Sequence, residues 1–388
     1  MFKNILWLLC LFFFSVKTAR AQVLTDPALQ QTVLKTLDAI YGGDFAEADT
    51  YVRQLRVRYP QHPAGPLLRA IQLHWQYIPL NQNHDAPAQY VQACEQALTL
   101  TRKRLEKDKN DPESVFSALA AHGYLALKHH NDDALLKAVN EAGRAYGYMK
   151  QGFELTDKNP EFYFTTGMYN YYVERYPMDH PIVKPMIVFF RSGNMPLGIR
   201  QLETAARRAT FTRYETAYYL ANLYLTHENK PNRAAIWLKT LSERFPANPV
   251  FLMRYTESVL LSGRYEEAKR LLPRLKAIPR PFLSVPIRFF AGFLAEKEDK
   301  NDSEAAEQYR AALRGSYVLL YTKEYQAMAY AGLARMAARA NNRPLAKDYY
   351  QKALKLTDYE SIKQEAKIFK CLCQLVVRFF MPSRLSRF

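Results

Sequence analysis

Glu215–Asn248 and Pro249–Phe282 lie over each other at an offset of 34 residues, with Ala234 on Ala268, Leu238 on Leu272, Leu241 on Leu275 and Tyr218 on Leu252. A self-similarity of that period is produced by helix–turn–helix units stacked along one axis. A single unit cannot cover its own apolar faces, so neighbours must stack to bury them. In the clearest unit Pro249 opens the first helix, and Leu252, Tyr255 and Val259 form its apolar stripe at helical spacing. Gly263 allows the left-handed residue that ends this helix. Ala268 lets the second helix approach closely, and Leu272 and Leu275 continue its buried face.

The grammar recurs. Gly43-Asp44-Phe45-Ala46 repeats the turn near the start, and Tyr59-Pro60 ends a second helix. Ala305, Tyr309, Ala312 and Leu313 repeat the second-helix face, as do Ala346, Tyr350, Ala353 and Leu354. This order of alanine, aromatic and alanine resembles the tetratricopeptide repeat family. The resemblance is strongest over Glu215–Phe282 and Ala327–Asp358, fair over Ala28–Pro60 and Asn159–Thr210, and weak over His62–Thr156. It implies an all-α, right-handed α-solenoid. Eight helical hairpins are expected over 27–58, 64–107, 112–156, 160–209, 213–244, 248–276, 282–315 and 320–357. A capping helix over about 359–380 follows. The second helix of the third hairpin is expected to run from Asn131 to Thr156, with Asn131 and Asp132 as N-caps. Two departures stand out: Ala305 to Ala346 spans more than one period, and an insert, Tyr176–Asn194, interrupts the fourth hairpin. Pro177, Pro181 and Pro185 argue against a regular helix at the insert's start. Its apolar run Ile187-Val188-Phe189-Phe190 is expected to tuck across the solenoid, since exposure of four such residues invites aggregation.

Residues 1–21 read as a signal peptide: Lys3 precedes an apolar core, Ile5–Val16, and Ala19-Arg20-Ala21 offers a cleavage site before Gln22. The core is too short to span a bilayer. The mature chain, 22–358 as solenoid and 359–388 as C-terminal helix and basic tail, is therefore expected to be exported, periplasmic or extracellular, from a bacterium. Three cysteines remain (Cys94, Cys371 and Cys373), and their number and spacing fit no disulfide framework.

The catalytic search finds nothing that holds together. His227-Glu228 begins like a zinc-protease motif, but Pro231 stands where the second histidine is needed. His129-His130 with Asp132-Asp133 reads as the turn before a helix. There is no glycine-rich phosphate loop, Gly-x-Ser-x-Gly or Cys-x-x-Cys. The expectation is a non-enzyme with no cofactor and no metal.

Surface is what remains. By the resemblance, the first helix of each hairpin lines a concave groove that holds a protein partner or extended peptide. By position that groove displays Phe164, Met168, Tyr171 and Tyr172 from the fourth hairpin and Tyr219, Leu223 and His227 from the fifth. Met253 and Glu257 come from the sixth, and Arg335 and Arg339 from the eighth. The Lys and Asn set with which chaperone-binding members clamp a C-terminus is absent. An alternative lies in the net charge of +17, concentrated in Arg264–Arg288 and Arg191–Arg213. Such faces attract anionic envelope polymers or lipid head groups. No nucleic-acid readout motif is present, and no nucleic acid is expected.

Overall fold

In this computed structural model the described residues are 23, 25–156, 159–179, 181, 184–316, 318 and 321–380. Among them every regular element is helical. The hairpins are α1 (Pro27–Gly42) with α2 (Phe45–Arg58), α3 (Ala64–Gln76) with α4 (Ala86–Leu105), and α5 (Pro112–Asn131) with α6 (Leu135–Leu155). Next come α7 (Phe162–Asp179), the one-turn α8 (Lys184–Ile187) and α9 (Met195–Arg208), followed by α10 (Arg213–Thr226) with α11 (Pro231–Arg244). The array continues with α12 (Pro249–Leu261) and α13 (Tyr265–Lys276), α14 (Ser284–Lys297) and α15 (Asp302–Leu313), and α16 (Lys323–Arg339) and α17 (Arg343–Leu356). A final helix, α18 (Glu360–Phe380), packs on α16 and α17. Each hairpin packs on the next in chain order, which makes the chain an all-α solenoid of helical repeats.

The turns obey one local rule. Gly43 (φ 84°) and Gly263 (φ 76°) end α1 and α12 in the left-handed region. The amide that follows each returns to a carbonyl five residues back, Asp44 to Ala39 and Arg264 to Val259. Asp133, Lys300 and Asn341 take the same conformation without being glycine. Asp133 therefore displaces the expected boundary. Asn131 is the last residue of α5, Asp132 pairs with Lys128, and α6 begins at Leu135 without a side-chain cap. The insert departs from expectation too, because α7 runs through Pro177 to Asp179. Proline so close to a helix end removes one amide and costs the helix only its last turn. Pro185 lies inside α8.

Small residues set the close crossings. Ala234, Ala268, Ala305 and Ala346 are buried where the two helices of a hairpin cross. Between α7 and α9 backbone meets backbone. A β-carbon on Gly198 would lie 2.7 Å from the Gly167 carbonyl oxygen and 2.8 Å from the Tyr171 amide nitrogen.

The curvature is tighter than an open groove allows. Tyr41, at the end of α1, is buried edge-on against Trp75 (5.4 Å between ring centres) and lies 6.1 Å from Phe251 of α12. The Asn248 side-chain amide donates to the Tyr41 carbonyl (3.0 Å), and Arg244 pairs with Asp38 (2.8 Å). The first hairpin thus docks on the fifth and sixth. On another side Arg175 of α7 reaches Glu360 of α18 (2.9 Å). One continuous apolar core runs from Val23 to Ala366.

Two buried polar clusters fasten the C-terminal half. Glu257 of α12 accepts from Arg254 (2.6 Å), from the Tyr325 hydroxyl of α16 (2.7 Å) and from the Tyr359 hydroxyl. Glu296 of α14 is gripped by Arg335 (2.6 and 2.8 Å), by Arg339 and by the Tyr309 hydroxyl (2.8 Å). Burial opposes the charge on Glu296, but the Arg335 hydrogen bonds and positive charge outweigh it and hold the carboxyl at about 2.

Candidate functional site: an apolar cavity inside the N-terminal half

The tight turn of the first five hairpins leaves a cavity of about 610 Å³ in the middle of the superhelix. Its walls come from the first helix of each hairpin: Val33 and Leu37 of α1, Leu67 and Ile71 of α3, α5, α7, and the start of α10. The second helix of the third hairpin adds Ala142, Ala145, Tyr146 and Met149. The cavity exists because one wall is built from small side chains. Ala120, Gly123 and Ala126 turn toward it from α5, and a β-carbon on Gly123 would meet nothing within 4 Å. Opposite them stand the larger Phe164 and Met168 of α7. A cavity of this size, apolar with few polar groups, is what small-molecule sites look like.

The strongest polar groups of the wall are mostly taken up internally. Glu161 accepts from the amides of Thr210 (2.6 Å), Phe211 (3.1 Å) and Thr212 (2.9 Å) and from the Thr212 hydroxyl (2.8 Å), which caps the entry to α10. His62 accepts from the Ala64 amide (3.1 Å) and contacts Glu113 (3.3 Å). Glu215, in the first turn of α10, accepts from the Tyr124 hydroxyl (2.7 and 2.8 Å) and the Tyr41 hydroxyl (3.2 Å). Burial pushes the Glu215 carboxyl up, against the pull of those two hydroxyls. The residue lies deep in the protein, yet it keeps accessible surface because it faces the cavity.

The insert forms part of the rim. The Arg191 amide donates to the Tyr146 hydroxyl (2.9 Å), and the Tyr169 hydroxyl donates to the Arg191 carbonyl (2.6 Å). This clasp sets the Phe190 ring edge-on to Tyr146 at 4.4 Å, where it contributes to the cavity lining. The insert is thus tucked at both of its ends, Tyr176 and Pro177 also lining the cavity. Phe190 turns inward, whereas Val188 and Phe189 are 75% and 89% exposed.

The residues expected to display a groove divide into four groups. Phe164, Met168, Tyr172 and Tyr219 all line the cavity. Tyr171, Leu223, Met253 and Glu257 are buried in packing instead, the closure of the superhelix having covered them. The Tyr171 hydroxyl is spent on Glu228 (2.9 Å), and Glu257 anchors the Arg254 cluster. His227 packs against the rings of both Tyr171 (6.1 Å) and Tyr172 (5.7 Å). Arg335 and Arg339 are engaged by Glu296, and further by Glu365 and Asp302 respectively. They do not offer a free carboxylate clamp.

Sequence reasoning passed over Glu215, Tyr124, Tyr41 and the small residues of α5. The signal available was in α5 itself. Ala118, Ala120, Ala121, Gly123 and Ala126 put small side chains on two faces of one helix. One such face suffices for a hairpin crossing, so the second points to space that nothing in the chain fills.

Among the described residues no group of three or more His, Cys, Asp or Glu could hold a metal ion, and no helix is long and apolar enough to cross a membrane. Cys94 is buried and Cys371 exposed, and neither forms a disulfide. The side chain of Cys373 and residues 1–22 lie outside the described residues.

No family model and no curated protein sequence matches the chain. Among solved structures it is similar to the human IFIT1 dimer with PPP-AAAA, at 16% identity over 80% of this chain and 79% of that one, TM-score 0.33. An IFIT1 monomeric mutant with Gppp-AAAA gives 15% identity, 80% and 77% coverage, and a TM-score of 0.36. Yeast Tom70 gives 11% identity, 88% and 87% coverage, and a TM-score of 0.36. At such scores the assignment of fold rests on this chain's own helices and their order.

Proposed function

We propose that this chain is a non-catalytic binding protein whose superhelical interior receives an elongated aliphatic ligand. The observation that supports this reading is the 610 Å³ cavity, walled by apolar side chains from five successive hairpins. An extended peptide in the concave interior, the alternative implied by repeat architecture, is disfavoured by hydrogen bonding. Each peptide residue would bring an amide and a carbonyl that need partners. Apart from Glu215, which already accepts from Tyr124 and Tyr41 and has acceptor positions to spare, the hydroxyls of Ser117 and Tyr219 are the wall side-chain groups without a protein hydrogen bond among the described residues. An aliphatic chain makes no such demand and gains about 25 cal/mol for each Å² of apolar surface it buries. Phe190, held by the Tyr146 and Tyr169 clasp, would act as the flap at the rim.

Export to a bacterial envelope compartment is part of the same proposal, and it rests on the sequence of residues 1–21. N-terminal sequencing of the secreted protein is expected to find Gln22 first.

The test is titration with N-phenyl-1-naphthylamine, an apolar probe that fluoresces once it leaves water. Saturable one-to-one binding is expected, abolished by Gly123→Phe, which fills the cavity from α5. Equal binding by that variant would place the probe elsewhere and defeat the proposal.

A second reading concerns α13. Arg270, Arg274 and Lys276 are exposed and carry no ion pair among the described residues, whereas neighbouring Arg264 and Lys269 pair with Glu267 and Glu298. That strip could hold an anionic polymer or lipid head groups. Binding there would weaken steeply between low and moderate salt.

A further inference from the structure

Buried acids in this protein follow a pattern. Glu257 pairs with Arg254 (2.6 Å), Glu296 with Arg335 (2.6 Å) and Asp111 with Arg104 (3.1 Å). Glu161 instead accepts three backbone amides. Glu215 breaks the pattern, because among the described residues no Lys, Arg or His pairs with it. The groups around it are the hydroxyls of Tyr41 from α1 and Tyr124 from α5, with the Tyr219 side chain from its own helix. Burying a carboxylate without a counter-charge is expensive. Its place in the first turn of α10 offsets only part of that cost.

We propose that the ligand of this cavity carries a protonated amine that pairs with Glu215, so the protein is a receptor for cationic amphiphiles with a single aliphatic chain. This assignment rests on the cavity reading above. The geometry supports it in three ways. Glu215 meets the cavity directly, so a ligand head reaches it without any rearrangement of the core. An ionised carboxylate offers about four acceptor positions, and the two tyrosine hydroxyls leave room for an ammonium donor. The rings of Tyr124 and Tyr219, both on the wall, offer faces that attract a cation. The alkyl chain would then lie between Ala120 and Gly123 of α5 and Phe164 and Met168 of α7.

The experiment compares decylamine, decanol and decanoate as displacers of N-phenyl-1-naphthylamine at neutral pH, for the full chain and for Glu215→Gln. The amine should compete at least about tenfold better than the alcohol, with decanoate weakest, and Glu215→Gln should bring amine and alcohol within about threefold of each other. Should Glu215→Gln fail to fold, a pH series on the unmodified protein makes the same distinction. Protonation of Glu215 on acidification should erase the amine's advantage and leave decanol unchanged. Equal competition by amine and alcohol in the unmodified protein overturns the amine assignment while leaving the cavity reading intact. Failure of all three to displace the probe removes the cavity reading itself.

Discussion

Tyr124 donates its hydroxyl hydrogen to Glu215 at 2.7 Å, across 91 residues of chain. This one contact joins the third hairpin to the fifth over the floor of the cavity. Removing the hydroxyl with Tyr124→Phe leaves a buried carboxylate short of a donor. A hydrogen bond to a charged group contributes about 1.5–3 kcal/mol, so urea unfolding should report a loss in that range. A change below about 0.5 kcal/mol would mean that Glu215 is solvated in another way.

Glu257 gives the second prediction. Its carboxylate is fully buried and compensates Arg254, which also reaches Asn222 (2.7 Å) and the Tyr359 hydroxyl (3.0 Å). Glu257→Leu strands the guanidinium and should cost about 3–5 kcal/mol, and the double variant with Arg254→Met should recover most of it. Denaturant midpoints of the two variants check this. If the double variant is no better than the single one, the carboxylate does more than neutralise its partner.

Acid should act through Glu296. Its carboxyl sits at about 2 in the folded protein against 4.5 in the unfolded chain. A depressed carboxylate contributes stability that is complete above the unfolded value and lost as pH falls from 4.5 toward 2. The difference corresponds to about 3 kcal/mol. Glu296→Gln should therefore flatten the acid limb of stability against pH while leaving the shape above pH 5 nearly unchanged, as read by thermal melts across the series.

At the α7–α9 crossing, Gly198→Ala would set a methyl 2.7 Å from the Gly167 carbonyl oxygen, backbone against backbone. Neither helix can give way cheaply, and overpacking of this kind costs about 1–3 kcal/mol. Gly123→Ala makes the contrasting case. Its methyl enters open space, and replacing a helical glycine should stabilise by about 0.5–1 kcal/mol. Opposite signs from two glycine-to-alanine changes, measured by melting temperature, would confirm which glycine serves contact and which serves volume.

The helical hairpins could be read from the chain because their rules are local. Gly43 and Gly263 mark turns, and Ala234 and Ala268 mark crossings, each within one period. The closure could not be read. Whether Tyr41 meets Phe251 depends on small rotations summed over the intervening hairpins, and no single unit encodes that sum. This is why Met253, Leu223 and Glu257 looked like groove residues and prove to be packed. Glu215 stayed hidden for another reason. An acid in the first turn of a helix is ordinary, and only the lack of an ion pair with any described Lys, Arg or His makes this one unusual. The boundary near Asn131 was misplaced because Asp133 adopts a left-handed turn without glycine, which leaves no mark in the sequence.

The account is tested most directly by photolabelling with a decylamine that carries a diazirine on its chain, followed by peptide mapping. Labels are predicted on cavity-wall residues of α5, α6 and α7, among them Ala120, Met149 and Met168, and they should disappear with Gly123→Phe. Labelling confined to outward-facing residues such as Ile236 and Leu354, unaffected by that variant, would contradict the account.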